Sequence, residues 1–248
     1  MATQYNIFDI QLYDALTRKA IVSTGGTLYV TEGDGQRSKA TLVNPDSDYA
    51  SLANPVTATR GKFRFAIANT GLGEPAVDVF GMAPGGQAFQ ALNIKPGDPT
   101  DIFIDTSNVF QQLVVPFSIH DTTAATETDT GFDFPTGATL LPYASVDVRT
   151  ADATETIDVG LLSSESGGDA DGIMVGVSVA TTGLILPHAA ATATLGVLLL
   201  ETLTDSGSAT VPVRDTYVIG ATAVSLTYTL STGSDTAVGY LKVPYLLR

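Results

Sequence analysis

Cysteine and tryptophan are absent from the 248 residues, methionine occurs three times, and histidine twice, at His120 and His188. Without cysteine there is no disulfide, no thiolate nucleophile and no thiolate metal ligand. The two histidines lack the spacing that places two ligands on one helix face or strand edge, and no Gly-x-Ser-x-Gly elbow offers an activated serine. His120, beside Asp121, and His188, after Pro187, read as loop or core residues. No catalytic residue, no metal site and no cofactor is assigned, and the chain reads as non-enzymatic.

Basic residues are also scarce: 12 Lys and Arg stand against 26 Asp and Glu, a formal charge of −14. Phosphate binding needs clustered cations, so neither a nucleic acid nor an anionic membrane surface is an expected partner. Long apolar runs are missing too. The most apolar region, residues 183–203, is broken by Pro187 and Gly196, and its dense part, Leu195 to Leu200, is far shorter than the roughly 20 residues of a membrane span. That part reads as a buried strand. The opening Met1-Ala2-Thr3-Gln4-Tyr5-Asn6-Ile7 lacks the basic and apolar regions of a secretory signal, so synthesis in a cytoplasm is expected.

What is present is strand after strand. Hydrophobic residues make up 44% and charged residues 15%, a balance that favours a packed core over disorder. Short Thr- and Val-rich runs, such as Thr27 to Val30 and Ala40 to Val43, are bounded by Gly, Pro, Asn and Asp, the local signature of hairpins. In Lys62-Phe63-Arg64-Phe65 the period of two sends Phe63 and Phe65 to one face and the cations to the other. Val77 and Val79 share a face in the same way. Further strands are expected at 144–149, 155–160, 173–179, 223–230 and 239–245, the last two paired across Ser231 to Thr236.

The fold class is therefore all-β, with two antiparallel β regions, the C-terminal one a sandwich or jelly-roll-like domain. The expected divisions are 1–26, 27–115 and 116–248. Residues 121–130, acidic and Thr-rich, read as a solvated loop. In the stretch 1–26, Tyr5, Ile7, Phe8, Ile10, Leu12 and Tyr13 have no clear home in the first domain and are the candidate partner contacts of an N-terminal arm, the alternative being that they pack on their own domain.

Two arrangements of carboxylates warrant comparison with known chemistry. In Gly167-Gly168-Asp169-Ala170-Asp171-Gly172 the two aspartates have the spacing of a calcium loop, but the downstream Glu is missing, and an ordinary turn is the expectation. A glycosidase needs only a carboxylic acid and a carboxylate, yet such sites are usually lined by aromatic platforms and the chain has no Trp. Gly25-Gly26 and Gly85-Gly86 match neither phosphate-binding pattern and read as turns.

Three stretches resemble virion structural proteins of tailed bacteriophages, most closely capsid decoration, or cement, proteins. They are the strand-turn-strand Leu52 to Phe65, the run from Thr156 through Gly172, and the closing segment Val224 to Leu247. The resemblance implies a protein synthesised in the host cytoplasm that ends on the outer surface of the virion capsid. There it would bind the major capsid protein as a homotrimer and stabilise contacts between shell subunits. The alternative is a tail, baseplate or fibre-associated adhesin module that binds glycan. The acidic charge is compatible with the outside of a shell and poorly suited to its DNA-facing side.

Overall fold

The computed structural model describes residues 4–32, 39–69, 76–97, 99–118, 125–187, 194–204, 210–231 and 236–247. It is all-β, and the chain divides into two units, Met1–Asn108 and Val109–Arg248. The division falls before the expected 115, because Phe110 to Ser118 pairs along its whole length with the C-terminal strand. No described helix is long and apolar enough to cross a membrane.

The first unit contains β1 (Tyr5–Asp14), β2 (Thr27–Glu32), β3 (Leu42–Asn44), β4 (Ala50–Leu52), β5 (Val56–Thr57), β6 (Lys62–Ala68), β7 (Val77–Met82), β8 (Ala88–Ile94) and β9 (Thr100–Ile104). They form a five-stranded sheet in the order β4-β3-β6-β1-β9 and a four-stranded sheet in the order β5-β2-β7-β8. Phe8, Ile10, Leu12, Phe63 and Phe65 from the first sheet share one buried cluster with Leu28, Val30, Val77 and Val79 from the second. A sandwich-like core results, and each buried large apolar side chain contributes on the order of 1.5–3 kcal/mol to it. Asn54 fastens the loop before β5. Its side chain accepts from the Val30 N–H at 3.0 Å and donates to the carbonyls of Val30 at 2.7 Å and Ala40 at 2.9 Å.

The expected N-terminal arm is instead part of this unit. β1 runs antiparallel to β6, from Tyr5 opposite Ala68 to Gln11 opposite Lys62, and parallel to β9, from Ile10 opposite Thr100 to Asp14 opposite Ile104. The β1–β9 pair adds one parallel contact to this otherwise antiparallel sheet. Phe8, Ile10 and Leu12 are buried in the unit's own core, the alternative to a free arm.

The second unit contains β10 (Phe110–Ser118), β11 (Thr128–Phe134), β12 (Thr139–Leu140), β13 (Ser145–Thr150), β14 (Thr156–Leu161), β15 (Asp169–Ser178), β16 (Gly183–Ile185), β17 (Leu200–Thr204), β18 (Thr210–Arg214), β19 (Tyr217–Val218), β20 (Val224–Leu230) and β21 (Val238–Leu246). One sheet has the order β16-β13-β21-β12-β19 with β10 also on β21, a second has the order β11-β20-β14-β15, and β17 pairs with β18. Aromatic contacts join the two larger sheets, Phe117 to Tyr228 at 6.4 Å and Phe134 to Tyr245 at 5.2 Å between ring centroids. This is again sandwich-like.

Several local expectations change here. β20 and β21 do not form a hairpin: β20 lies between β11 and β14, while β21 lies among β10, β12 and β13. Both strands are buried along nearly their whole length, which suits sheet interiors rather than an isolated hairpin. The last three residues of the expected acidic loop, 128–130, belong to strand β11, whose Thr130 and Phe132 are buried. Leu195 to Leu200 is not one strand, since Leu195 makes a single bridge to Met174 and Val197–Leu199 forms a 3-10 turn. At Gly196 a Cβ would lie 2.2 Å from the Asp171 carbonyl oxygen, so backbone runs against backbone there.

Candidate functional site

The outer face of the five-stranded sheet is the candidate site, and β1 builds it by alternation. Phe8, Ile10 and Leu12 point to the core, whereas Tyr5, Ile7 and Tyr13 are half-buried on the other face with Asp9 and Gln11 between them. The six candidate contact residues thus separate into three core residues and three surface residues. Of the six, only Tyr5, Ile7 and Tyr13 lie on the outer face.

Each end of this row is an aromatic pair. Tyr5 stacks on Tyr49 with centroids 4.1 Å apart and planes 10° apart. Tyr49 is delivered by the turn after β3, where Asp48 and Tyr49 both adopt left-handed backbone, φ 49° and 54°. The turn is held by the Asn44 side chain accepting from the Asp46 N–H at 2.9 Å and by the Ala50 N–H donating to the Ser47 carbonyl at 2.9 Å. Left-handed geometry at non-glycine residues costs of order 1 kcal/mol each.

At the other end Tyr13 stacks on Phe103 of β9 at 5.4 Å, and the Arg18 guanidinium sits 4.7 Å from the Phe103 centroid. The Asp14 carboxylate accepts hydrogen bonds from the Thr106 hydroxyl and, at 2.6 Å, from the Thr17 N–H. The Thr106 and Thr17 bonds hold its carboxyl down at about 2, against an ordinary 3.8. The loops flanking the Tyr13 end are thereby fixed.

Between the ends, Arg64 lies 3.5 Å from both Asp9 and Asp46, a surface ion-pair group. Gln11 donates to the carbonyls of Leu12 at 2.9 Å and Gly61 at 3.2 Å. Gly61, at φ 71°, is required there because a Cβ would lie 1.8 Å from the Ile21 carbonyl oxygen. Tyr49, 37% exposed, and Phe103, 45% exposed, are the aromatics on this face that sequence reasoning did not single out. Phe103 was legible as the middle residue of Ile102-Phe103-Ile104, whose neighbours turn inward.

The other candidates carry less. Asp169 and Asp171 open strand β15 rather than occupying a turn. Burial, followed by the hydrogen bond and charge of Asp171, raises the Asp169 carboxyl above its ordinary value. Among the described residues no three His, Asp or Glu side chains converge as possible metal ligands. His120, Asp121 and His188 lie outside the described residues.

In the second unit the Asp147 carboxylate, almost fully buried, takes Lys242 Nζ at 2.8 Å and an Arg149 guanidinium nitrogen at 2.7 Å. Burial opposes its ionisation, but Lys242 and Arg149 together outweigh that effect and hold its carboxyl below the ordinary value. Its charges are mutually satisfied. No protein-family model, no curated protein and no solved structure matches the chain.

Proposed function

We propose that the chain is a non-enzymatic virion structural protein that binds the outer surface of a phage capsid and stabilises contacts between major capsid subunits. The observation that supports this reading is the outer face of the five-stranded sheet. A sheet face left to water ordinarily carries polar side chains, whereas this one carries the Tyr5–Tyr49 stack, Ile7 and the Tyr13–Phe103 stack in one row. Aromatics on a rigid sheet lose little conformational freedom on binding and are the side chains that dominate protein contact surfaces. The phage assignment itself rests on the resemblance of Leu52 to Phe65, Thr156 to Gly172 and Val224 to Leu247.

Binding to emptied heads of the source phage tests the reading. Wild-type protein is expected to saturate the heads at a fixed ratio to the shell subunit. Tyr49→Asn with Phe103→Ser, both at exposed positions and the first compatible with left-handed backbone, is expected to weaken binding about tenfold or more. Absence of head binding, or binding indifferent to the double substitution, contradicts it. Specific capture by host-surface glycans in its place would favour the adhesin alternative.

A further inference from the structure

We propose that the Tyr13 end of the first unit's outer sheet face docks an acidic segment of the shell subunit, an inference that rests on the capsid reading and names the chemistry of its contact. Charge is divided unevenly along the chain. Met1–Asn108 holds eight of the 12 Lys and Arg with 11 of the 26 Asp and Glu, whereas Val109–Arg248 holds four with 15, so the formal charges are −3 and −11. The first unit is not basic as a whole. What sets it apart is where its cations gather.

Backbone pairing brings four exposed cations, Arg18, Lys19, Arg60 and Lys62, to the last residues of β1. Lys62 of β6 is opposite Gln11. Beyond that point β1 is flanked on the same side by the chain after it turns back. The Ile21 N–H donates to the Leu12 carbonyl at 2.9 Å, Ala20 is bridged to Tyr13, and the Asp14 N–H donates to the Lys19 carbonyl at 2.9 Å. Arg60 and Gly61, at φ 54° and 71°, form the two-residue turn between Thr59 and Lys62, and the Gly61 carbonyl accepts from the Leu12 N–H at 2.9 Å. Lys19 and Lys62 are thus opposite positions three residues apart on β1, about 10 Å along the strand. Arg18 adjoins the first and Arg60 is two residues from the second.

These cations are unpaired in a chain whose carboxylates outnumber its cations more than two to one. Among the described residues the ion pairs are made by Arg64, Arg149 and Lys242, and Arg18, Lys19, Arg60 and Lys62 make none. The nearby carboxylates are taken by other donors. Asp14 accepts from the Thr106 hydroxyl and the Thr17 N–H, and Asp105 accepts from the Ser107 N–H at 3.0 Å and its hydroxyl at 2.6 Å. Asp101, also opposite Gln11, lies on β9, two strand spacings or about 10 Å from Lys62. Apolar surface adjoins the charges: Leu16 is 73% exposed, and Phe103 is stacked on Tyr13 under the Arg18 guanidinium. Free cations around exposed apolar side chains fit a segment that carries carboxylates beside an apolar anchor. An acidic shell surface would repel the second unit and favour approach by this end, so the same charges orient docking.

The test is binding of the full chain to emptied heads at low salt, with two double variants of matched charge. Arg60→Asn with Lys62→Gln removes two cations of the site, and asparagine tolerates the left-handed position. Lys39→Gln with Lys95→Gln removes two exposed cations beside the other sheet, Lys39 bridged to Thr31 of β2 and Lys95 directly after β8. The site pair is expected to weaken head binding about fivefold or more, chiefly by slowing association, with the loss shrinking as salt rises. The control pair is expected to stay within about twofold of wild type. Excess oligoglutamate is expected to displace wild-type protein from the heads. Heads that bind both variants alike overturn the proposal and leave the capsid reading standing, whereas heads that bind no wild-type protein overturn both. Displacement by single-stranded DNA but not by oligoglutamate would mean a phosphate-bearing partner and overturns the proposal as well.

Discussion

The two units reach a similar sandwich-like architecture by different use of polar side chains. Of the eleven buried polar or charged residues among those described, only Thr31 belongs to the first unit, and the other ten belong to the second. The first unit is held by aromatic and aliphatic packing, with its ion pairs left at the surface around Arg64. The second buries Asp147 with Lys242 and Arg149. It also runs hydroxyls between strands, as Thr130 to the Leu226 carbonyl at 2.7 Å, Thr227 to the Thr128 carbonyl at 2.9 Å and Ser225 to the Asp133 carboxylate at 2.5 Å. The Thr- and Ser-rich composition is therefore not one property. In the second unit it ties neighbouring strands together, whereas the first exposes a sheet face that mixes charge with aromatics.

Substitutions matched across the units sharpen this contrast. Phe65→Ala in the first unit removes a fully buried ring stacked on Phe8 at 5.2 Å and should cost about 3–5 kcal/mol, read by chemical denaturation. Asp147→Ala in the second leaves Lys242 without its carboxylate partner. We expect a loss of about 1–3 kcal/mol, reduced by the partial exposure of both cations. Thr227→Val keeps the shape and removes one buried hydroxyl bond, for a loss of about 1 kcal/mol. Arg64→Ala, at the exposed ion pairs of the first unit, should fall below about 1 kcal/mol and weaken further with salt. If the Arg64 variant lost more stability than the Asp147 variant, the contrast between the units would fail.

Acid provides the finest probe. Asp14 has a folded value of about 2 against 3.8 when unperturbed, so its contribution to stability is present above the unfolded value and is lost as the pH falls through the folded one. Asp14→Asn should flatten the decline in first-unit stability between those two values, followed by circular dichroism during acid titration.

Alternation was legible wherever one face was uniformly apolar, as at Phe63 and Phe65, because the period of two alone assigns the faces. It was obscured in β1, where Tyr5, Ile7 and Tyr13 on the outer face sit between Phe8, Ile10 and Leu12 on the inner one. Apolar residues on both faces there resembled an arm without a home. Pairing partners were the least legible feature. β20 and β21 are adjacent in sequence and compatible as a hairpin, yet they enter different sheets, a choice made by burial on both faces rather than by the turn between them. At Gly167 to Gly172 the composition suggested a turn, but the strand begins at Asp169, and glycine permits close backbone approach. A Cβ on Gly160 would meet the Asp169 carbonyl oxygen at 2.0 Å. The aromatic partners Tyr49 and Phe103 are distant in sequence from Tyr5 and Tyr13, so the candidate surface emerges only after the sheet is assembled.

The most direct measurement is the copy number of this chain in intact particles from its source, by quantitative protein analysis against the major shell subunit. The capsid-surface account predicts a number comparable with that of the shell subunit and fixed from particle to particle. A few copies per particle, or none, would contradict it.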